Sequence, residues 1–180
     1  LFGVVRLPAP RRRHEAHDLF DAHLPLVLYE QQPGPGLAVR KYVLMRRGII
    51  AHDTLPESLV KAVTHVLGTK PPQFETLSVA ATDDPFDLLP TARERVRQLD
   101  TGDGVLIFSD IYGATPCNLA AKLVSPGHVE VVAGVSLPML VRAFTYRARG
   151  MDTMITKAVS GGRDGVLRIE VDPVYATTRG

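Results

Sequence analysis

The sequence predicts an α/β fold, a doubly wound and mostly parallel sheet with helices on both faces. Three observations carry this. Val105 to Phe108 are four consecutive apolar residues, the pattern of a strand buried on both sides. Strand-like runs alternate with helical patterns along the chain, giving the order βαβαβαβα and a terminal strand. Two of the strands pass straight into helix starts through short turns, Tyr112-Gly113-Ala114 and Gly134-Val135-Ser136. Turns of that kind gather at the carboxyl edge of a parallel sheet, where open α/β folds hold their ligands.

Each element has its own signal. Gly48 to Ala51 reads as the first buried strand, with Tyr42-Val43-Leu44 as a candidate extension, and His52 stands at its end. Thr54-Leu55-Pro56-Glu57 has the spacing of a capping box. Leu59, Val60, Ala62, Val63, Val66 and Leu67 make one apolar helical face, which Gly68 stops. Phe74 to Ala81 is the second strand. Asp84-Pro85 opens a helix to about Leu99, with Phe86, Leu88, Leu89, Ala92 and Val96 inward. Asp100 to Gly104 turn the chain into the central strand, which ends at Asp110. Thr115-Pro116 then read as an N-cap and first helical residue. Val129 to Ala133 is the fourth strand, and Leu137-Pro138 lead into a helix containing Met139, Leu140 and Val141. A short helix over 152–159 follows. Gly161, Gly162 and Gly165 mark a turn, and Val166 to Val171 alternate as a last strand.

Composition narrows the class. The 180 residues suffice for one domain with a sizeable core, and 45% of them are apolar. No stretch reaches the eighteen apolar residues of a membrane span. Cys117 is the single cysteine, so an internal disulfide is impossible and a reducing, cytoplasmic setting is expected. The start of the chain shows no apolar signal-peptide region. The formal charge of +2 lies before residue 45, where six Lys or Arg meet four Asp or Glu; fifteen of each follow. The part expected to fold is therefore not basic, and no nucleic-acid partner is implied.

Residues 1–44 differ from the rest. They hold five of the fourteen prolines, Arg11-Arg12-Arg13 and the turn-rich Pro33-Gly34-Pro35-Gly36. We read them as a disordered segment or non-native extension. Leu24 to Tyr29 is the one strand-like run in it, and Met45 is a natural place for an initiator. His14-Glu15-Ala16-His17 is one residue short of the HExxH zinc spacing and implies no metal. The folded domain is expected over residues 45–172, with a flexible tail over 173–180.

Several strand ends should meet at one edge of the sheet. His52-Asp53, Asp110 with Tyr112 to Thr115, and Val135 to Pro138 are the chemistry-bearing groups there. Adjacent strands would set His52 beside Asp110. A carboxylate fixes an imidazole's tautomer and leaves the other nitrogen free to act. From residues alone, His52 is either a nucleophile or base, or a structural histidine at a strand end. No GxGxxG or GxxxxGK[ST] nucleotide loop is present. Ser109 and Ser136 lack a GxSxG elbow. Cys117 sits within a helix's first turn with no histidine near in sequence, and reads as filler. Asp83, Asp84 and Asp87 are accounted for by a helix N-terminus.

GIIAHDTLPESLVKAVTHVLG (48–68), LDTGDGVLIFSDIYGATPCNLA (99–120) and VEVVAGVSLPML (129–140) together resemble the mannose/fructose-type IIA domain of the bacterial sugar phosphotransferase system. The resemblance extends over residues 48–169. It implies a sheet of order 2-1-3-4 and a homodimer in which a terminal strand is exchanged. It places the phosphorylated histidine at His52 and its supporting aspartate at Asp110. It places the phosphate-holding loop at Gly113, Ala114 and Thr115, and support or partner contacts at Asp53, Ser136 and Pro138. Three positions depart from the family pattern: Asp53 replaces glycine, Thr115 replaces serine, and Ser136 replaces asparagine.

The implied activity is a metal-independent phosphotransfer that needs no cofactor. The histidine-containing phosphocarrier protein is the donor, and a IIB component the acceptor. A regulatory module without transport, or a dimeric scaffold without transfer, are the other readings. No membrane insertion is implied.

Overall fold

A computed structural model describes residues 46–169. Four strands form one parallel sheet: β1 (Arg46–His52), β2 (Phe74–Val79), β3 (Val105–Ser109) and β4 (Val129–Ala133). Their order is β2-β1-β3-β4, the order implied above. The helices are α1 (Leu55–Leu67), α2 (Pro85–Leu99), α3 (Thr115–Ala121), α4 (Leu137–Thr145) and α5 (Met151–Asp164).

Alternation along the strands separates two cores. Ile49, Ala51, Leu106 and Phe108 join α1, α4 and α5 residues such as Val63, Leu140, Phe144 and Met154 on one face. Ile50, Val105 and Ile107 join Ala92, Leu99, Leu119 and Ala120 of α2 and α3 on the other. All five residues of β3 are buried, which is why the central strand reads as an unbroken apolar run. The register pairs Ile50 with Ser109, the last residue of β3. β1 therefore runs past β3 and delivers His52 level with the loop that follows Asp110.

Helix ends follow local chemistry, with corrections. Asp84 caps α2, its side chain accepting from the Phe86 amide at 2.8 Å. Gly68 ends α1 in the left-handed region at φ 71. The capping box at Thr54 does not form. Thr54 has φ −85 and ψ 6, away from the extended cap geometry, and its side chain makes no cap bond. Glu57 instead accepts the Ser78 hydroxyl at 2.9 and 3.0 Å, which ties the first turn of α1 to β2. The N-cap of α3 is Ala114, with Thr115 the first helical residue.

Other expectations are also revised. Val66 and Phe86 are 53% and 70% exposed rather than inward. The Lys122 ammonium lies 4.2 Å over the Phe86 ring, a cation–π contact at the surface. Helix α5 runs through Gly161 and Gly162. A β-carbon on Gly161 would sit 2.6 Å from Arg142 Cγ and 2.9 Å from the Pro138 carbonyl. These glycines serve close packing of α5 on α4, and only Gly165 marks the end. Residues 166–169 join no strand ladder among the described residues, and Val166 is 81% exposed; residues 170 and 171 of the expected last strand lie outside the described residues. The expectations for residues 1–44, for Met45 and for 170–180 lie outside the described residues, as does the strand exchange.

Arg47 is the largest fully buried side chain. Its guanidinium stacks 4.4 Å from the Phe144 ring centre, and Phe144 meets Phe74 edge-on at 4.9 Å. Nε and Nη1 of Arg47 have no hydrogen-bond partner among the described residues. Burial, then repulsion from Arg147 and Arg46, lowers its pKa from the usual guanidinium range to about 9. An unpaired buried charge destabilises, and apolar replacement of buried ionic groups often stabilises by about 1–4 kcal/mol. Arg47→Met is accordingly expected to raise the melting temperature in phosphate-free buffer by several degrees. A thermal melt that falls instead would show that Arg47 contributes net stability through its ring contact.

Candidate functional site

His52 is the last residue of β1, and Asp110 follows the last residue of β3. His52 Nδ1 lies 2.7 Å from Asp110 Oδ2. The main-chain amide of His52 donates to the same oxygen at 3.0 Å. The other oxygen, Oδ1, accepts from the Ile111 amide at 2.9 Å. The carboxylate is 8% exposed and the imidazole side chain 43%. One member is thus held within the protein and the other presented to solvent.

Burial pushes the Asp110 carboxyl up, but the amide and ring of His52 and the amide of Ile111 outweigh it, and its pKa is lowered from 3.8. An ionised carboxylate only accepts hydrogen bonds. The proton of a neutral His52 ring therefore sits on Nδ1, leaving a lone pair on Nε2.

The loop after Asp110 is a tight turn. The Ala114 amide donates to the Ile111 carbonyl at 3.2 Å, and Gly113 takes φ 84, which glycine adopts without strain. Asn118 braces the loop from α3: its side-chain amide donates to the Gly113 carbonyl at 2.9 Å, and its main-chain amide to the Ala114 carbonyl at 2.9 Å. Of the three expected phosphate-binding residues, Ala114 thus has its amide committed. Among the described residues, Gly113 and Thr115 have amides that donate to nothing, and the Thr115 hydroxyl is likewise open.

Asp53 directly follows the imidazole at φ 44. This left-handed conformation is the physical reason glycine suits the position, and aspartate is among the few residues that tolerate it. Its amide donates to the Val79 carbonyl at 3.0 Å, and its side chain is exposed and makes no ion pair among the described residues. Ser136 occupies the N-cap position of α4 and Pro138 its first turn. No hydrogen bond joins either to His52 or Asp110 among the described residues. The link is through backbone, where Gly134 donates to the Asp110 carbonyl at 3.0 Å and Val135 to the Ser109 carbonyl at 2.9 Å.

Sequence reasoning missed the bond between Glu57 and Ser78, because the capping-box spacing offered Glu57 a nearer partner. Asp84 caps α2, as the helix-start reading implies, whereas Asp83 accepts the Ala80 amide at 2.8 Å in the turn that precedes the helix. Cys117 is a free, buried thiol. Among the described residues no group of three or more His, Cys, Asp and Glu could hold a metal ion. No helix among them is long and apolar enough to cross a membrane.

Comparison with known proteins places the chain in a family. The family described as the PTS system fructose IIA component matches residues 49–159. The mannose-specific EIIAB component of the phosphotransferase system from Escherichia coli K12 is 31% identical over 126 residues, covering 68% of this chain. The chain spans only 39% of that relative's length. An EIIA component from Streptococcus agalactiae superimposes with a TM-score of 0.62 at 19% identity, covering 69% of this chain and 96% of its own. A mannose/sorbose-specific IIA subunit from Enterococcus faecalis gives 0.64 at 19% identity, with coverages of 71% and 96%. At such identities these structures establish the fold.

The carboxylate geometry makes a direct prediction. Asp110→Asn keeps nearly the same size, so the sheet should persist by circular dichroism. An amide is a weaker acceptor and can turn its donor toward the ring. Nitrogen-15 spectra of His52 should then pass from one tautomer, protonated at Nδ1, to a mixture. An unchanged tautomer in the variant would mean that Asp110 does not orient the ring.

Proposed function

The chain belongs to the PTS fructose IIA component family, and from that premise we propose that it is a phosphohistidine carrier. His52 takes a phosphoryl group from the histidine-containing phosphocarrier protein. It passes the group to a IIB partner or holds it as a signal. The observation that carries this reading is the 2.7 Å contact between His52 Nδ1 and Asp110.

The chemistry follows from that contact. Nε2 of neutral His52 attacks phosphorus in line, and its lone pair forms the new N–P bond. The bond from phosphorus to the donor's imidazole breaks, and its electron pair returns to that ring. Nδ1 keeps its proton throughout, so the phosphorylated His52 ring carries positive charge. Asp110 lies against that charge and stabilises it. Donor and acceptor are both imidazoles, so the exchange is close to balanced in bond type and calls for neither metal nor cofactor.

The phosphoryl oxygens need hydrogen-bond donors. Of the expected loop residues, Gly113 and Thr115 have open amides and Thr115 an open hydroxyl among the described residues. Ala114 shapes the turn with its committed amide. An Asp53 carboxylate facing the phosphoryl group would oppose it, since two unit charges ~5 Å apart at an effective dielectric of ~20 repel by roughly 3 kcal/mol; turned to solvent, it would matter little. The resemblance to IIA domains also supports a homodimer, and Ser136 and Pro138 serve as support or partner contacts for the site.

Incubation with phosphoenolpyruvate, enzyme I and the carrier protein tests the relay. Intact mass should show one acid-labile phosphoryl group on the wild type and on His65→Ala, and none on His52→Ala. Label that persists in His52→Ala removes His52 from the role. Asp110→Asn should slow transfer by one or more factors of ten. Asp53→Gly should raise the equilibrium fraction phosphorylated, and a fall would show that Asp53 assists the phosphoryl group.

A further inference from the structure

Six buried side-chain polar atoms among the described residues lack a hydrogen-bond partner, and four belong to Arg46, Arg47 and Arg147. They are Nε of each arginine and Nη1 of Arg47. No ion pair among the described residues involves any of the three. Buried donors without acceptors are rare in folded proteins and call for an explanation, such as an ion that belongs there.

The geometry narrows the explanation. β1 begins with Arg46-Arg47 and ends with His52, so this cluster lies at the end of the sheet opposite the imidazole. Arg47 and Arg147 both gather at Phe144. Arg47 stacks on its ring at 4.4 Å, and Arg147 Nη1 donates to its carbonyl at 2.9 Å. Neighbouring strand residues point to opposite faces. Arg46 therefore turns away from Phe144, toward the Thr101 hydroxyl at 3.2 Å. It adds positive field without adding a contact.

Arg47 and Arg147 thus present three unmet N–H donors and two positive charges in one region. Guanidinium groups bind phosphate and carboxylate oxygens through such donors, and an anion would also offset the mutual repulsion. We propose that Arg47 and Arg147 form a binding site for a small phosphate-class oxyanion, at the end of the sheet remote from His52. Arg147 is the way in: it is half-buried and held by the single bond to Phe144. Arg47 then supplies the floor, with Phe144 fixing the plane of its guanidinium. The site is independent of the phosphoryl relay, since neither arginine touches the imidazole end.

Inorganic phosphate is the probe, titrated into the full chain at constant ionic strength with chloride as counterweight. Proton–nitrogen spectra near pH 6 follow the Nε–H signals of Arg47 and Arg147. Both should shift saturably in the wild type. In Arg47→Met the saturable response of Arg147 should vanish. Arg147→Ala should weaken phosphate binding at Arg47 tenfold or more. Ligand bound only to the folded state also raises stability, so the melting-temperature gap between Arg47→Met and wild type should narrow as phosphate rises. Linear, unsaturable shifts, or equal responses in wild type and Arg47→Met, would overturn the site. Loss of phosphoryl transfer in His52→Ala has no bearing on either outcome.

Discussion

One carboxylate oxygen, Oδ2 of Asp110, accepts both the main-chain amide and the ring of His52. The double acceptance fixes the end of β1 and the plane of the imidazole at once. It requires the two strands to be neighbours, in a register that carries β1 beyond β3. The order β2-β1-β3-β4 and the pairing of Ile50 with Ser109 supply this. The register in turn rests on burial on both faces. A slip of one residue would turn Ile49 and Ala51 from one core into the other. The large cores on each side of β1 and β3 therefore hold a polar pair at the rim in place.

The sheet handles charge differently at its two ends. At the carboxyl end, a half-exposed imidazole meets a carboxylate that has three hydrogen bonds and is ionised. At the amino end, Arg47 is buried without an acceptor among the described residues. The first arrangement leaves a reactive nitrogen accessible while its neighbour is committed. The second leaves several N–H groups unmet in a region of low dielectric, where an unpaired polar group is most costly. β1 thus connects a site that is satisfied without ligand to one whose electrostatics call for an anion.

Much of the fold was legible because its signals are local or periodic. Val105 to Phe108 needed no knowledge of neighbours to read as a strand buried on both sides. Asp84-Pro85 carried the start of α2 within a few residues. Position at strand ends was enough to make His52 and Asp110 candidates for one site, with the family resemblance assigning roles. What escaped depends on contacts distant in sequence. Glu57 fits a capping box by spacing, but the chain brings Ser78 to it from β2. Gly161-Gly162 resembles a turn, yet α4 explains it, because only a residue without a side chain fits beside Arg142 and Pro138. Phe86 belongs to an apolar stripe by period but finds Lys122 at the surface. Arg47, in a run of two arginines, gives no hint of burial; its environment is built by Phe144, far along the chain.

The loop at residues 111–115 shows how rigidity divides labour within one turn. The Ala114 amide closes the turn on the Ile111 carbonyl, while Asn118 holds the carbonyls of Gly113 and Ala114 from below. Every one of these bonds restrains the backbone without using the Gly113 or Thr115 amides. Those amides are consequently fixed in place but uncommitted, the condition under which a donor stabilises developing charge with little reorganisation. Glycine at 113 follows from the positive φ that the turn imposes. Threonine at 115 keeps a hydroxyl where a hydrogen-bond donor is useful. The same logic applies across the loop at Asp53, whose left-handed backbone lets the chain turn from β1 into α1 within two residues. That turn sets the imidazole at the edge of the sheet, with its orientation already decided by Asp110.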